Sequence, residues 1–149
     1  MATQIVIHNG SSILLDDSYR ISWADKGTDW VDGWVPNTIH AVIYNNLAGP
    51  NEIQNKDAST GMMTGNVDLS ATSDVVTGTT TIADLLTWAD TRVAQINSAN
   101  LDYGNALENA QTKWVDDGNS ADDFHADNSA TASYFDWTKT WRDYDSNKA

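Results

Sequence analysis

One compact group of residues in the sequence could bind a metal ion, Asp122-Asp123-Phe124-His125-Ala126-Asp127. It places three carboxylates and one imidazole within six residues, and these are donor types that cations take from proteins. The spacing lacks the regularly placed oxygen donors and the terminal Glu of a helix-loop-helix Ca²⁺ site. We therefore interpret the segment as a solvent-exposed polar loop between helices, whose side chains cap the helix ends. We expect no required metal.

No arrangement of residues points to catalysis. His8, His40 and His125 fall in different predicted elements, and no strained nucleophile turn of the G-x-S-x-G type is present. The chain has no Cys, which excludes a thiol nucleophile and a disulfide framework. The isolated glycines lack the Lys-Ser/Thr pair that completes a phosphate-binding loop, so no cofactor is expected. We predict that the protein is not an enzyme.

The seven Trp residues are the most distinctive feature of the composition. Trp23, Trp30 and Trp34 surround an acidic loop, and aromatic rings exposed beside Asp and Asn can stack on sugars. Packing against a sheet is the simpler interpretation for Trp23 and Trp34. Trp30 is the candidate for an exposed ring that contacts a partner. A carbohydrate-binding or host-receptor-binding module is therefore the alternative to a protein-binding function.

The charge of the chain restricts its partners. The formal net charge is -13, which repels nucleic-acid phosphates and anionic membrane surfaces, and the Lys and Arg residues are scattered. No stretch approaches the ~18 apolar residues of a membrane span, and residues 1–7 lack the basic region of a signal peptide. We expect a soluble protein made in the cytoplasm that binds neither nucleic acid nor membrane.

The first 55 residues carry the pattern of β-strands. Asn9-Gly10 stands between two β-branched or apolar runs, which is the strongest short signal for a hairpin. Residues 19–23 alternate apolar and polar side chains, residues 38–44 form the clearest strand, and residues 52–54 suit a short return strand. The pattern predicts a small antiparallel β-meander over residues 1–55.

Residues 56–81 form a long polar connection with two apolar pairs, Met62-Met63 and Val75-Val76. Loops of this length are uncommon in compact domains, so the segment is functional, flexible or ordered only against a partner. One hypothesis is that Met62, Met63, Val75 and Val76 bind a partner, because a free loop would expose them. The other is that both pairs pack against the protein's own sheet. The sequence leaves the two open.

Residues 82–149 carry a helical pattern. Thr81 and Asp84 stand in the register of a capping box, and an apolar face follows at helical spacing: Ile82, Leu85, Leu86, Ala89, Val93 and Ile96. The pattern continues to Trp114, either in the same helix or after a break near Asn100 or Gly104, and a final helix is predicted near residues 128–144. We therefore predict an α+β fold, one compact domain overall, in which the β-meander packs with two or three C-terminal helices.

Two parts of the sequence resemble known proteins. Trp34-Val35-Pro36-Asn37-Thr38-Ile39-His40-Ala41-Val42-Ile43-Tyr44, followed by Gly49 and Glu52-Ile53-Gln54, resembles small proteins found near bacteriophage tail-fibre genes. Those proteins commonly carry Gln and Trp where this chain has Ile43 and Tyr44. The segments at residues 88–92 and 135–144 are similar to Trp-, Asp- and Arg-rich helical segments of tail assembly chaperones.

The resemblance implies a protein without an active site that acts in tail-fibre assembly or as a small virion component. Its partner would be a phage tail or tail-fibre protein, with self-association as a further option. An assembly chaperone would work in the host cytoplasm and leave the mature particle. A structural component would remain in the tail of the virion. The sequence leaves both open.

Overall fold

The computed structural model describes residues 3–15, 19–30, 36–45 and 49–148 of the chain. The chain divides into two compact units, one of residues 1–94 with residues 147–149, and one of residues 95–146. The boundary between the two units falls inside a long α-helix. Each unit is described by itself below.

The first unit contains a six-stranded antiparallel sheet. Its strands are β1 Gln4–His8, β2 Ser12–Leu15, β3 Tyr19–Ser22, β4 Ile39–Asn45, β5 Glu52–Lys56 and β6 Met63–Asp68, in the order β3-β2-β1-β4-β5-β6. The Asn9-Gly10 turn joins β1 to β2 with Gly10 at φ 77°, which glycine adopts without strain. The order departs from the predicted simple meander because β4 pairs with β1 and not with β3.

One face of the sheet is apolar. The register aligns one side chain from each strand in a row across the sheet, and the row comprises Ile21, Ile13, Ile7, Val42, Ile53 and Val67. The first five are buried, whereas Val67 on β6 is 52% exposed. Alternation of buried and less buried residues along β1 and β2 follows from the period of two in a strand.

Two short strands, β7 Val75–Thr77 and β8 Thr80–Thr81, form a separate hairpin that leads into the helix α1, Ile82–Asp116. The predicted capping box is confirmed. The Thr81 hydroxyl accepts a hydrogen bond from Asp84 N at 3.2 Å, and Asp84 Oδ2 accepts one from Thr81 N at 2.9 Å. Two of the backbone N–H groups at the start of the helix therefore have acceptors.

The prediction of two or three C-terminal helices is wrong, because a single 35-residue α-helix replaces them. Of the two alternatives left open near Asn100 and Gly104, the continuous helix is the one observed. Asn100 Nδ2 donates to Ile96 O at 3.0 Å, so this side chain bonds the preceding turn while the backbone continues as helix. The fold is still broadly α+β. No helix in the described ranges combines the length and apolar character needed to span a membrane.

The helix predicted near residues 128–144 is also absent. The segment consists of turns and a short 3-10 helix at Trp141–Tyr144, and another 3-10 helix precedes it at Ala121–Asp123. Asp127 Oδ1 accepts hydrogen bonds from the backbone N of Ser129 and Ala130 at 2.9 and 3.2 Å. Short polar side chains that bond nearby backbone in this way compete with helix formation.

The second unit has an aromatic core of its own. The buried residues are Ala110, Trp114, Phe124 and Phe135, with Tyr103, Ala106, Leu107, Tyr134 and Trp137 packed against them. The Trp137 indole N–H donates to the hydroxyl of the fully buried Thr131 at 2.8 Å. Edge-to-face contacts such as Trp114 on Tyr134, with centroids 5.2 Å apart, fix the orientation of the rings.

Candidate functional site

Strand β6 is one of the two edges of the six-stranded sheet, and β3 is the other. All of its residues are exposed, and within the part of the chain that the structure describes only β5 pairs with it. The strand lies inside the segment that the sequence presented as a polar connection. Its outer edge therefore offers unpaired backbone groups to another chain.

A tight turn holds β6 against β5. Asp57 Oδ1 accepts hydrogen bonds from the backbone N of Ser59 and Thr60 at 2.8 and 2.9 Å, and Gly61 closes the turn at φ 73°. The backbone N–H groups of Thr60 and Ser59 lower the pKa of Asp57, because they stabilise its ionised form. The edge is thus positioned by an ordered hairpin.

Three apolar side chains stand exposed along this hairpin. Met62 is 70% exposed, Met63 is 51% exposed and Val67 is 52% exposed. Val67 lies opposite Ile53 on the apolar face of the sheet, and Met63 lies opposite Lys56. The register shift between Asn55 and Lys56 is a bulge that separates the two apolar positions. We define Met62, Met63 and Val67 as the β6 surface.

Along β6, the backbone N–H and C=O groups of successive residues point alternately toward β5 and away from it. Leu69 N donates to Asn51 O at 2.9 Å, which places Leu69 in a hydrogen-bonded pair with β5. Because such pairs alternate along an antiparallel ladder, Val67 also bonds β5, whereas Asn66 and Asp68 direct their N–H and C=O groups away from it. These outward groups are the ones that an added strand would meet.

The predicted partner-binding residues do not lie on one surface element. Met62 and Met63 belong to the β6 hairpin, while Val75 and Val76 belong to β7. Val75 is 54% exposed and Val76 is buried. Sequence analysis did not select Val67, although its position between Asn66 and Asp68 has the alternation of a strand.

Trp30 is half-buried in an aromatic cluster of the first unit. Its ring meets the edge of Trp23 with centroids 5.3 Å apart and that of Trp88 at 4.6 Å. Lys26 Nζ lies 5.2 Å from the Trp23 centroid, in the range of a cation-π contact. Trp30 therefore joins two other rings, and Trp34 lies outside the described residues.

The acidic segment 122–127 does not form a metal cluster. Among the residues described, no group of three or more His, Cys, Asp or Glu side chains is placed to hold a metal ion. Asp122 and Asp123 lie in the 3-10 helix Ala121–Asp123, and the His125 ring packs on Phe124 and Trp137 with centroids 5.1 and 5.5 Å away.

Comparison with known proteins found no protein-family model, curated protein or solved structure that matches the chain.

Proposed function

We propose that the chain is a non-enzymatic binding protein that adds an extended segment of another protein to the outer edge of β6. Following the resemblance of residues 34–54, the partner is a phage tail or tail-fibre protein. The observation that carries the proposal is the apolar row across the sheet, which is buried as far as Ile53 and ends in exposed Val67.

A strand added to β6 would pair with the exposed backbone groups of this edge and cover its exposed apolar side chain. Its backbone would pair with the outward N–H and C=O groups of Asn66 and Asp68, and an apolar side chain would cover Val67. Recognition by strand addition obtains affinity from main-chain hydrogen bonds and specificity from alternate side chains. Met62 and Met63 suit the rim of such a site, since flexible Met side chains adapt to a partner.

The charge of the protein favours a basic partner segment over a second copy of the chain. The net charge of -13 attracts a cationic strand and accelerates its encounter. Two copies would each bring the same negative charge to the interface, and like charges repel. If a second copy of the chain occupied β6 instead, the isolated chain would form a dimer in solution.

Asn66→Pro tests the proposal, with Asn66→Ala as the matched control. Proline removes the outward N–H of Asn66 and keeps the ladder to β5, because the Asn66 N–H does not bond β5. The chain would be co-expressed with the tail-fibre protein of the genome that encodes it, and complexes would be isolated by size-exclusion chromatography. We expect Asn66→Pro to abolish the complex and Asn66→Ala to retain it.

Equal binding by Asn66→Pro and Asn66→Ala would contradict strand addition. Thermal melts of both variants check that the sheet remains folded. Sedimentation velocity of the isolated chain shows whether a second copy occupies β6, since such a dimer would dissociate in Asn66→Pro only.

Two forms of this function remain to be separated. An assembly chaperone works in the host cytoplasm and leaves the finished particle, whereas a virion component stays in the tail at a fixed copy number. Mass spectrometry of purified particles distinguishes them. Presence at constant stoichiometry identifies a structural component, and absence from the particles identifies an assembly factor.

A further inference from the structure

The sheet carries two carboxylates side by side at its β6 edge. Glu52 of β5 lies directly opposite Asp68 of β6 in the register of the two strands. The next pair along the strands is hydrogen-bonded, since Leu69 N donates to Asn51 O. Because the two kinds of pair alternate, Glu52 and Asp68 form a non-hydrogen-bonded pair, with Cα atoms about 4.5 Å apart. Like charges placed opposite each other in this way destabilise a sheet.

The nearest cations of the sheet stand far from this pair. Within the described ranges, neither carboxylate accepts a hydrogen bond or forms a salt bridge. Lys56 stands at the opposite end of β5 from Glu52, about 13 Å along the strand. Arg20 lies on β3 at the other edge of the sheet, about 19 Å from β5. Both backbone separations exceed the Debye length of about 8 Å, so these charges offset the repulsion only weakly.

The carboxylate pair and Val67 lie on opposite faces of the sheet. Glu52 is half-buried beside Ile43, its neighbour on β4, and Asp68 is exposed. Val67 precedes Asp68 and points to the other face, because side chains alternate along a strand. A strand added to β6 has the same alternation. The residue of that strand that covers Val67 is therefore next in sequence to the residue that meets Asp68.

We propose that the partner strand carries a Lys or Arg side chain opposite Asp68, next in sequence to the apolar residue that covers Val67. This inference rests on the strand addition proposed above and specifies the partner segment. The cation would lie next to Asp68 and one further strand spacing from Glu52, so it would offset the repulsion between the two carboxylates. It would also fix the register, since a slip by one residue would move the cation to the apolar face.

Asp68→Lys tests the inference, with Asp102→Lys as the matched control. Asp102 is exposed on α1 outside the β6 edge, so both substitutions change the net charge by the same amount. The dissociation constant of each variant is measured by isothermal calorimetry against the tail-fibre protein of the genome that encodes the chain. We expect Asp68→Lys to weaken binding about tenfold or more, because it brings like charges together at the interface. Asp102→Lys should retain the affinity of the native chain.

Thermal melts of the isolated variants supply a second readout of opposite sign. Asp68→Lys should raise the melting temperature of the native chain, because it replaces repulsion of Glu52 by attraction. A lower melting temperature together with weaker binding would assign Asp68 to the fold and refute the proposal.

Two further outcomes separate this inference from the proposed function. Equal affinity of the Asp68→Lys and Asp102→Lys variants, with Asn66→Pro still abolishing the complex, would overturn the basic residue and leave strand addition standing. Equal binding by Asn66→Pro and Asn66→Ala, or no complex with the native chain, would instead refute strand addition and this inference with it.

Discussion

Arg92 Nε on α1 donates a hydrogen bond to the backbone carbonyl of Asp25 at 2.9 Å, across 67 positions of sequence. Arg92 is 1% exposed and Asp25 is 7% exposed. Asp25 in turn accepts a hydrogen bond from the Ser22 hydroxyl at 2.9 Å. Within the first unit, this buried arginine joins the helix to the 3-10 helix Trp23–Lys26.

Arg92→Ala should lower the free energy of unfolding by about 3 kcal/mol or more, because the change leaves a cavity and removes the donor from a buried carbonyl. Urea denaturation measures the loss. Arg20→Ala is the control, since Arg20 is exposed and its contact with Ser12 is long at 3.5 Å. That variant should change stability by less than about 0.5 kcal/mol. Similar effects of the two substitutions would contradict a structural role for Arg92.

Gly27→Ala should destabilise the first unit for two reasons. Gly27 has φ +82°, and a Cβ there would lie 3.0 Å from Cζ and Nε of Arg92 and from Asn147 O. Gly10 has φ +77° with nothing within 4 Å of a Cβ, so Gly10→Ala reports the cost of a positive φ without a close contact, about 1 kcal/mol. Gly27 also has ψ 177°, a combination that essentially only glycine adopts, which adds backbone strain at that position. We expect Gly27→Ala to lower the melting temperature clearly more than Gly10→Ala. Equal shifts would contradict both the close contact with Arg92 and the additional backbone strain at Gly27.

The hydrogen bond between Tyr134 and Asp117 should make stability depend on pH at both extremes. The Tyr134 hydroxyl donates to Asp117 Oδ2 at 2.7 Å and lowers the pKa of Asp117 below 3.8, with a further contribution from Lys113. The same hydrogen bond raises the pKa of Tyr134 above 10.0. The stabilising effect is therefore present above pH 3.8 and lost as the pH falls through the lowered pKa. It is likewise present below pH 10.0 and lost as the pH rises through the raised pKa.

The measurement is the difference in melting temperature between the native chain and Asp117→Asn across this pH range. The difference should be constant between the two limits and shrink outside them. Asp116→Asn, which removes the same charge one position earlier, controls for the net charge. A difference that does not vary with pH would show that ionisation of Asp117 and Tyr134 contributes nothing.

Trp137→Ala should destabilise the second unit by about 3 kcal/mol or more. The ring contacts Phe124 and Phe135 with centroids 5.4 and 5.0 Å away, and its N–H bonds Thr131. Thr131→Val removes the acceptor of this N–H together with the hydrogen bond that the Thr131 hydroxyl donates to Asp127 O at 3.2 Å. It should cost about 1–3 kcal/mol, because it leaves the buried indole N–H unsatisfied. Denaturant unfolding followed by aromatic circular dichroism measures both. A loss under about 0.5 kcal/mol for Trp137→Ala would refute its packing role.

Addition of a chelator should leave the melting temperature unchanged. Asp127, which the sequence offered as a cation ligand, uses Oδ1 to accept from two backbone N–H groups. A fall in melting temperature on chelation that Ca²⁺ reverses, and that is lost when Asp122 and Asp123 are changed to Asn, would instead establish a cation site.

The sequence alone determined the features that depend on neighbouring residues. The Asn9-Gly10 hairpin follows from the tolerance of these residues for the turn, and the start of α1 follows from reciprocal capping by Thr81 and Asp84. The broad α+β character follows from the two periods of apolar residues. These signals depend on residues that are close together in sequence, so they can be recognised without knowledge of the fold.

Only the tertiary structure decided the features that depend on distant residues. The pairing of β4 with β1 places β3 at one edge of the sheet. Strand β6 is the other edge and leaves Val67 exposed, although nothing near Val67 in sequence specifies its neighbours. The aromatic cluster of Trp23, Trp30 and Trp88 joins residues from two separate segments. Burial of Arg92 likewise depends on Asp25, far away in sequence. Burial and pairing arise from contacts between remote segments, and a local pattern carries no information about which segments meet.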